Sequence, residues 1–373
     1  MSENYTIVTT LYPDGEIRQV TGEGSFSDDD SSIIRNVVTV YPDVLYQQFQ
    51  GFGAAMTEAA GSVINALPEK ISDELLNDCF GSEGLGYSWV RTHIDSCDFC
   101  LSTYSSCILE HGRASIDAES FGEHDRQYIM PNISRANALL RRAGREELKL
   151  YLVPWSPPAG MKDNRQRHGG GRLLPQYRTV WAQYLCRYIE AYEREGFHVA
   201  VIGVQNEPNA VQTWDSCLWS GEEERDFIHS YLLPALREAE ITDVKITVWD
   251  HNRERAFERV REVCSNGVED EVGAVSFHWY SGDHFENVSM VHAEYPGYLL
   301  IFSEGCIEFA HFSEAAALQH ARMYGHHIIG DLNHGMQVWL DWNIALDTSG
   351  GPNHVQNLCA APIMVDTKNG KYE

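Results

Sequence analysis

Val201-Ile-Gly-Val-Gln-Asn-Glu-Pro208 decides the fold. Four strand-like residues run into Gln205-Asn206-Glu207-Pro208, so a carboxylate sits beside an amide where the strand ends. Parallel strands buried on both faces read as continuous apolar runs, and a proline stops the ladder. Leu299-Leu300-Ile301-Phe302 repeats the pattern and ends in Ser303-Glu304-Gly305. Two strands that each deliver a glutamate at the C-terminal end are what a (β/α)8 barrel uses to build a two-carboxylate site.

Strand-like runs recur at Gln47–Gly53, Tyr87–His93, Leu148–Trp155, Lys245–Trp249, Val272–Tyr280 and Gly335–Trp342. Helical sequence separates them. Thr57 to Phe80 is one such stretch. Another opens at Pro175, carries apolar residues at three/four spacing from Tyr177 to Ile189, and stops at Gly196. Ser220-x-x-Glu223 predicts a capping box for a helix reaching about Ala239, with a kink at Pro234, and Ser313 to Ile329 is also helical. The alternation predicts an α/β fold, a (β/α)8 TIM barrel over residues 47–373, with the last helix missing after the eighth strand. Residues 1–46 differ. Tyr5–Tyr12 and Glu16–Val20 flank Asp14-Gly15 as a hairpin, and Ile34–Leu45 is a further strand-like run, predicting a small N-terminal β-element beside the barrel.

The 373 residues, 43% hydrophobic, suffice for one barrel and an accessory element. With 28 Lys+Arg against 54 Asp+Glu the net charge is −26, which repels phosphate backbones and argues against nucleic-acid partners. No stretch reaches the roughly 18 apolar residues of a membrane span. No basic region followed by an apolar run opens the chain, so a cytoplasmic protein is expected, its nine cysteines reduced. Oligomeric state is left open.

A retaining glycosidase needs two carboxyls about 5 to 5.5 Å apart, one attacking the anomeric carbon and one giving and later taking a proton. Glu207 and Glu304 meet that need if their strands face one another at the barrel mouth. The acid is expected to have a raised pKa, and the nucleophile to stay ionised beside Arg91. Trp155, Tyr280, Trp342 and Trp279 fall at strand ends, where aromatic faces pack on pyranose rings. Asp98 and Asn206 offer hydrogen bonds to sugar hydroxyls.

Gln50-Gly-Phe-Gly-Ala-Ala-Met-Thr-Glu58, Ser96-Cys-Asp-Phe99, Pro154-Trp-Ser-Pro-Pro158, Asn206-Glu-Pro208, His278-Trp-Tyr280, Ser303-Glu-Gly305, Asp341-Trp-Asn343 and Gly350-Gly-Pro-Asn353 stand in that order. From about Gln47 to Asp366 the chain resembles glycoside hydrolase family 30, in its glucosylceramidase-like branch. The resemblance implies a retaining β-glycosidase that needs no cofactor or metal, with Glu207 as acid/base and Glu304 as nucleophile. It implies that Asp98, Trp155, Asn206, Tyr280, Trp342 and Asn353 bind the sugar and that Arg91 and His278 support the nucleophile. Members of the family pair the barrel with a β-sandwich completed by a longer C-terminal segment, so this chain is expected to be a fragment or to be closed by something else, such as a partner. The loop Ala159–Asn164 lacks the tryptophan of the mammalian glucosylceramidases, which argues against ceramide as the aglycone; β-xylosidases and β-1,6-glucanases are alternatives within the family.

Other motifs point elsewhere. Cys97-Asp-Phe-Cys100 has metal or redox spacing without a second pair, and His168-Gly-Gly-Gly-Arg172 lacks the ending of a phosphate loop. A metal-dependent barrel hydrolase requires His-x-His on strand one, which ends in Gly51-Phe-Gly53. A sugar-binding barrel without catalysis, or an inactive truncated product, remains the rival reading.

Overall fold

The computed structural model describes residues 4–11, 18–25, 41–265, 267–311, 313 and 316–373. The chain divides into two compact units, Met1–Tyr46 and Gln47–Glu373. In the first, Asn4–Leu11 and Arg18–Ser25 pair antiparallel as a hairpin. The expected turn at Asp14-Gly15, and most of the expected strand Ile34–Leu45, lie outside the described residues; the portion from Tyr41 is turn and loop rather than strand.

The second unit is a closed barrel of eight parallel strands: β1 (Gly51–Ala55), β2 (Trp89–Ile94), β3 (Lys149–Pro154), β4 (His198–Gly203), β5 (Lys245–Asn252), β6 (Ala274–His278), β7 (Leu299–Glu304) and β8 (Val338–Asp341). Each pairs with its neighbours in chain order, and β8 closes on β1 through Val338↔Gly51 to Asp341↔Ala54. β2, β6, β7 and β8 are buried at every residue, and the polar ones among them, such as Arg91, His278 and Glu304, cluster toward the C-terminal mouth.

Helices cover the outside. The predicted helix Thr57–Phe80 is two, Glu58–Asn65 and Glu69–Phe80, broken at Pro68 because proline cannot continue an amide ladder. Arg178–Arg194 buries Trp181, Tyr184, Leu185, Tyr188 and Ile189 against the sheet. The capping box at Ser220 and Glu223 is present, and the helix it starts passes through a π-helical turn at Ile228–Leu232, two residues short of Pro234, before ending at Glu238. Among the described residues no helix follows Asn333. Instead, Ala345–Asp347, Ile363–Asp366 and Lys371–Tyr372 form a small sheet. No described helix is long and apolar enough to cross a membrane.

Two strands carry irregularities that matter for the site. Between β5 and β6 the register passes from Trp249↔Ser276 to His251↔Phe277, leaving Asp250 as an extra residue. Between β6 and β7 it passes from Phe277↔Phe302 to His278↔Glu304, leaving Ser303 unpaired. Trp249 and Asp250 both have positive φ, 76° and 48°. Such bulges turn a side chain away from its regular alternation and are common next to active sites.

Candidate active site

At the C-terminal mouth of the barrel a cavity of about 230 Å³ is lined by Asp98, Trp155, Asn206, Glu207, Trp214, His251, Tyr280, Glu304, Trp342 and Asn357, among others. Drug-sized ligands occupy roughly 300–1,000 Å³, so this space is on the scale of a single sugar ring.

The floor is ionic. Arg91, fully buried on β2, donates Nη1 to Glu304 Oε2 at 2.7 Å and Nη2 to both Asp250 Oδ2 at 2.7 Å and Asn206 Oδ1 at 2.6 Å. Its guanidinium also lies 4.9 Å from the Trp155 ring and 5.2 Å from that of Trp342, and these two indoles stack on each other at 5.2 Å. A planar fork suits this position because one group must meet three acceptors while its faces touch aromatics.

A second junction is His278. Its Nδ1 is 3.2 Å from Glu207 Oε1, while Nε2 is 3.4 Å from Asp250 Oδ1 and 3.9 Å from Glu304 Oε2. One imidazole thus spans the two glutamates. Asp250 is fixed further by the Ser303 hydroxyl at 2.6 Å, so the two bulge residues hold each other. Tyr280 donates its hydroxyl to Glu304 Oε1 at 3.0 Å. Gly305 follows the glutamate where a Cβ would come within 2.6 Å of the Phe302 ring and 2.8 Å of the Trp279 indole.

Glu207 stands beyond the end of β4. Its backbone is nonetheless tied to both neighbouring strands: Asn206 N–H donates to Pro154 O and Glu207 N–H to Asp250 O, each at 2.9 Å. Glu207 has φ 47°, a left-handed conformation that non-glycine residues rarely adopt and that concentrates at functional positions.

The electrostatics run opposite to the expectation from sequence. Burial pushes Glu207 up, but the His278 hydrogen bond and the charges of His251 and His278 outweigh it and hold the carboxyl below its ordinary value. Burial raises Glu304; His278 and Arg91 oppose this without cancelling it, and the charge of Glu207 adds to it. Burial also works against a charge on His278, yet Glu304, Asp250 and Glu207 overcome it and push the imidazole up to about 9. Asp250 is buried too, but Arg91, His278 and Ser303 hold it well below the usual carboxylate range. In the free site the proton therefore favours Glu304 over Glu207, because a charged His278 aims its Nδ1–H at Glu207.

The remaining expected residues divide. Asp98, Trp155, Asn206, Tyr280 and Trp342 reach the cavity. Burial pushes Asp98 up to about 7, although Asn357 and Asn353 both donate to its Oδ2, at 2.9 and 3.2 Å. Asn353 is not a cavity residue: it is buried behind Asp98, which it positions. Trp279 is not one either. It packs outward on Phe302, Tyr324 and Trp339, because successive residues at a strand end face opposite sides and His278 and Tyr280 take the inner one. Sequence reading passed over Asp250, His251, Trp214 and Asn357. Asp250 and His251 had a signal, since polar residues directly follow the apolar run of β5 as they do in β4; Trp214 and Asn357 lie in loops with none.

Two side-chain groups place ligand-type atoms within 4.8 Å of one another. In Glu207–His251–His278 both nitrogens of His278 already face carboxylates. In His93–Cys97–Cys100, Nδ1 of His93 bonds Asp95 O at 2.6 Å and Nε2 accepts the Glu58 N–H at 3.1 Å. His278 and His93 thus have both ring nitrogens engaged, which leaves neither a free lone pair for a metal.

The family model of the glycosyl hydrolase family 30 TIM-barrel domain matches residues 49–373. The chain is 30% identical over 346 residues to the lysosomal acid glucosylceramidase of Mus musculus, covering 88% of this chain and 66% of that protein. The solved structure of SrfJ from Salmonella typhimurium superposes with a TM-score of 0.89 at 34% identity, covering 100% of this chain and 81% of the other. An endo-β-1,6-glucanase structure gives a TM-score of 0.78 at 25% identity, covering 89% and 74%. The chain spans about two thirds of the length of the glucosylceramidases it matches. A closed parallel barrel, two glutamates bridged by one histidine at its mouth, and a family match across nearly the whole of the second unit agree: this chain belongs to glycosyl hydrolase family 30.

Proposed function

We propose that the chain hydrolyses a β-linked glucoside with retention of configuration, Glu304 acting as nucleophile and Glu207 as acid/base. The observation that carries the reading is the placement of both glutamates around one imidazole, with a guanidinium on Glu304, at the floor of a cavity of single-ring size.

In the first half, Glu304 attacks the anomeric carbon while the C–O bond to the leaving group breaks, and Glu207 protonates the departing oxygen. Positive charge developing on the sugar favours the ionised form of Glu304 and so moves the shared proton preference toward Glu207. Arg91 on Oε2 and Tyr280 on Oε1 orient the attacking carboxylate. Once Glu304 is esterified its charge is gone, so Glu207 loses a neighbour that had raised its pKa and becomes the carboxylate that takes a proton from water. Water then displaces the ester and the nucleophile is released.

A relative named as a glucosylceramidase and a structural neighbour named as an endo-β-1,6-glucanase leave two substrate classes. The small cavity favours a terminal sugar, hence exo action on a glucoside. Nitrophenol release from aryl β-glucoside, β-xyloside, β-fucoside and β-galactoside, with Glu304→Gln as blank and a thermal melt alongside, tests this. Turnover of the glucoside that vanishes in the variant is the expected result. A cooperatively melting protein with no turnover of any glycoside would sink the enzyme reading and leave a sugar-binding barrel.

A further inference from the structure

One polar atom at the edge of the cavity has no hydrogen bond. His251 follows the bulge residue Asp250, lines the cavity beside Glu207, and lies against the Trp249 indole with ring centroids 5.1 Å apart. Its Nδ1 is buried and unpartnered, and stands 3.7 Å from Glu207 Oε1, beyond hydrogen-bond reach. The charged and titratable groups around the ring are Glu207, His278, Glu254 and Asp250. His278 already contacts Glu207 Oε1 from the other side, at 3.2 Å.

We propose that His251 is a positioning residue for Glu207, its Nδ1–H closing onto Oε1 in the half of the reaction where Glu207 is a carboxylate. Catalytic hydrogen bonds are often long in an unliganded site and tighten in the complex, and a buried donor left unmatched is costly. A donor to an ionised carboxylate is worth more than one to a neutral acid, so the contact acts selectively once Glu207 has lost its proton. Burial lowers the His251 imidazole below its ordinary value, while the charge of Glu207 pulls it the other way. The atoms balance without a further reagent: Glu207 gives its proton to the leaving oxygen, His251 holds the resulting carboxylate, and the proton of the attacking water restores the acid.

This inference rests on the reading of Glu207 as acid/base, and its test separates the two. His251→Phe keeps a ring against Trp249 and removes both nitrogens. Without the donor, the Glu207 carboxyl titrates higher, so Glu207 stays an acid to higher pH. For a glycoside with a poor leaving group, the acid limb of kcat/KM, which reports Glu207 because Glu304 holds its proton to higher pH, is expected to move up by about 0.5 to 1 pH unit. For a dinitrophenyl glycoside, whose departure needs no proton, kcat at acidic pH falls while kcat/KM changes less than about twofold, since only the second half uses Glu207 as base. Should His251→Phe melt without cooperativity, His251→Asn is read in its place. Limbs coinciding with those of the parent, with kcat lowered evenly across pH, overturn the inference by reducing His251 to a packing role. Undiminished turnover by Glu304→Gln overturns the two-carboxylate reading itself.

Discussion

Replacing Arg91 by lysine keeps the charge and removes the fork. The guanidinium makes three bonds of 2.6 to 2.7 Å, to Glu304, Asp250 and Asn206, from a fully buried position beside the stacked Trp155 and Trp342 indoles. A single ammonium on a flexible stem reaches one of these well, so two are lost or lengthened. Hydrogen bonds to charged groups contribute about 1.5 to 3 kcal/mol each. The lysine charge still compensates the carboxylates in part, so a loss of about 3 kcal/mol is expected, well within the roughly 5 to 15 kcal/mol of a folded protein. Catalysis should move as well. Arg91 pulls the Glu304 carboxyl down against burial, so weakening that pull raises it further, and the nucleophile ionises only at higher pH. Because Glu304 titrates above Glu207, it sets the basic limb of kcat/KM, which should rise by about one unit while the plateau falls. Guanidinium titration supplies the stability change, and aryl glucoside hydrolysis across pH supplies the limb. A variant within about 0.5 kcal/mol of the parent, or a basic limb that stays put, would refute the claim that the fork organises the site.

Three further outcomes are expected. Asp250→Asn should cost about 2 kcal/mol near pH 6 and less near pH 9 by thermal melts: His278 titrates at about 9 in the fold against about 6.5 unfolded, so its contribution is full below the lower value and fades toward the higher one. Asp98→Asn should weaken inhibition by glucose at least about tenfold above pH 7, where the parent carboxyl is ionised and accepts hydroxyl donors, and by less below it, where both forms are neutral. Ser220→Ala removes the side chain that accepts the Glu223 N–H at 3.2 Å and should cost about 1 kcal/mol in denaturant titration with kcat/KM unchanged.

What the sequence made legible follows burial. Strands enclosed by the barrel and its helices leave apolar runs, so the barrel could be read from β4 and β7, and its polar strand ends from Asn206, Glu207 and Glu304. Boundaries were less legible. Nothing in Val-Gln-Asn-Glu marks that the ladder ends at Gly203 while the backbone stays bonded to Pro154 and Asp250 as far as Glu207. The small C-terminal sheet was hidden for a related reason, since strands of two to four residues are too short to show a period. The electrostatic order of the two glutamates lay further out of reach. It depends on which carboxylate meets His278 Nδ1, and that is settled by β6 in relation to β4 and β5 rather than by any local pattern. Bulges escape alternation outright, because one extra residue has no signature in a run of apolar neighbours. Yet Asp250 and Ser303 are such residues, and they bond each other at 2.6 Å. The Asp250 bulge brings a carboxylate to Arg91 and His278 together, and those two side chains in turn hold Glu304 and Glu207. The glutamates that sequence can find are thus set in place by two backbone irregularities that it cannot.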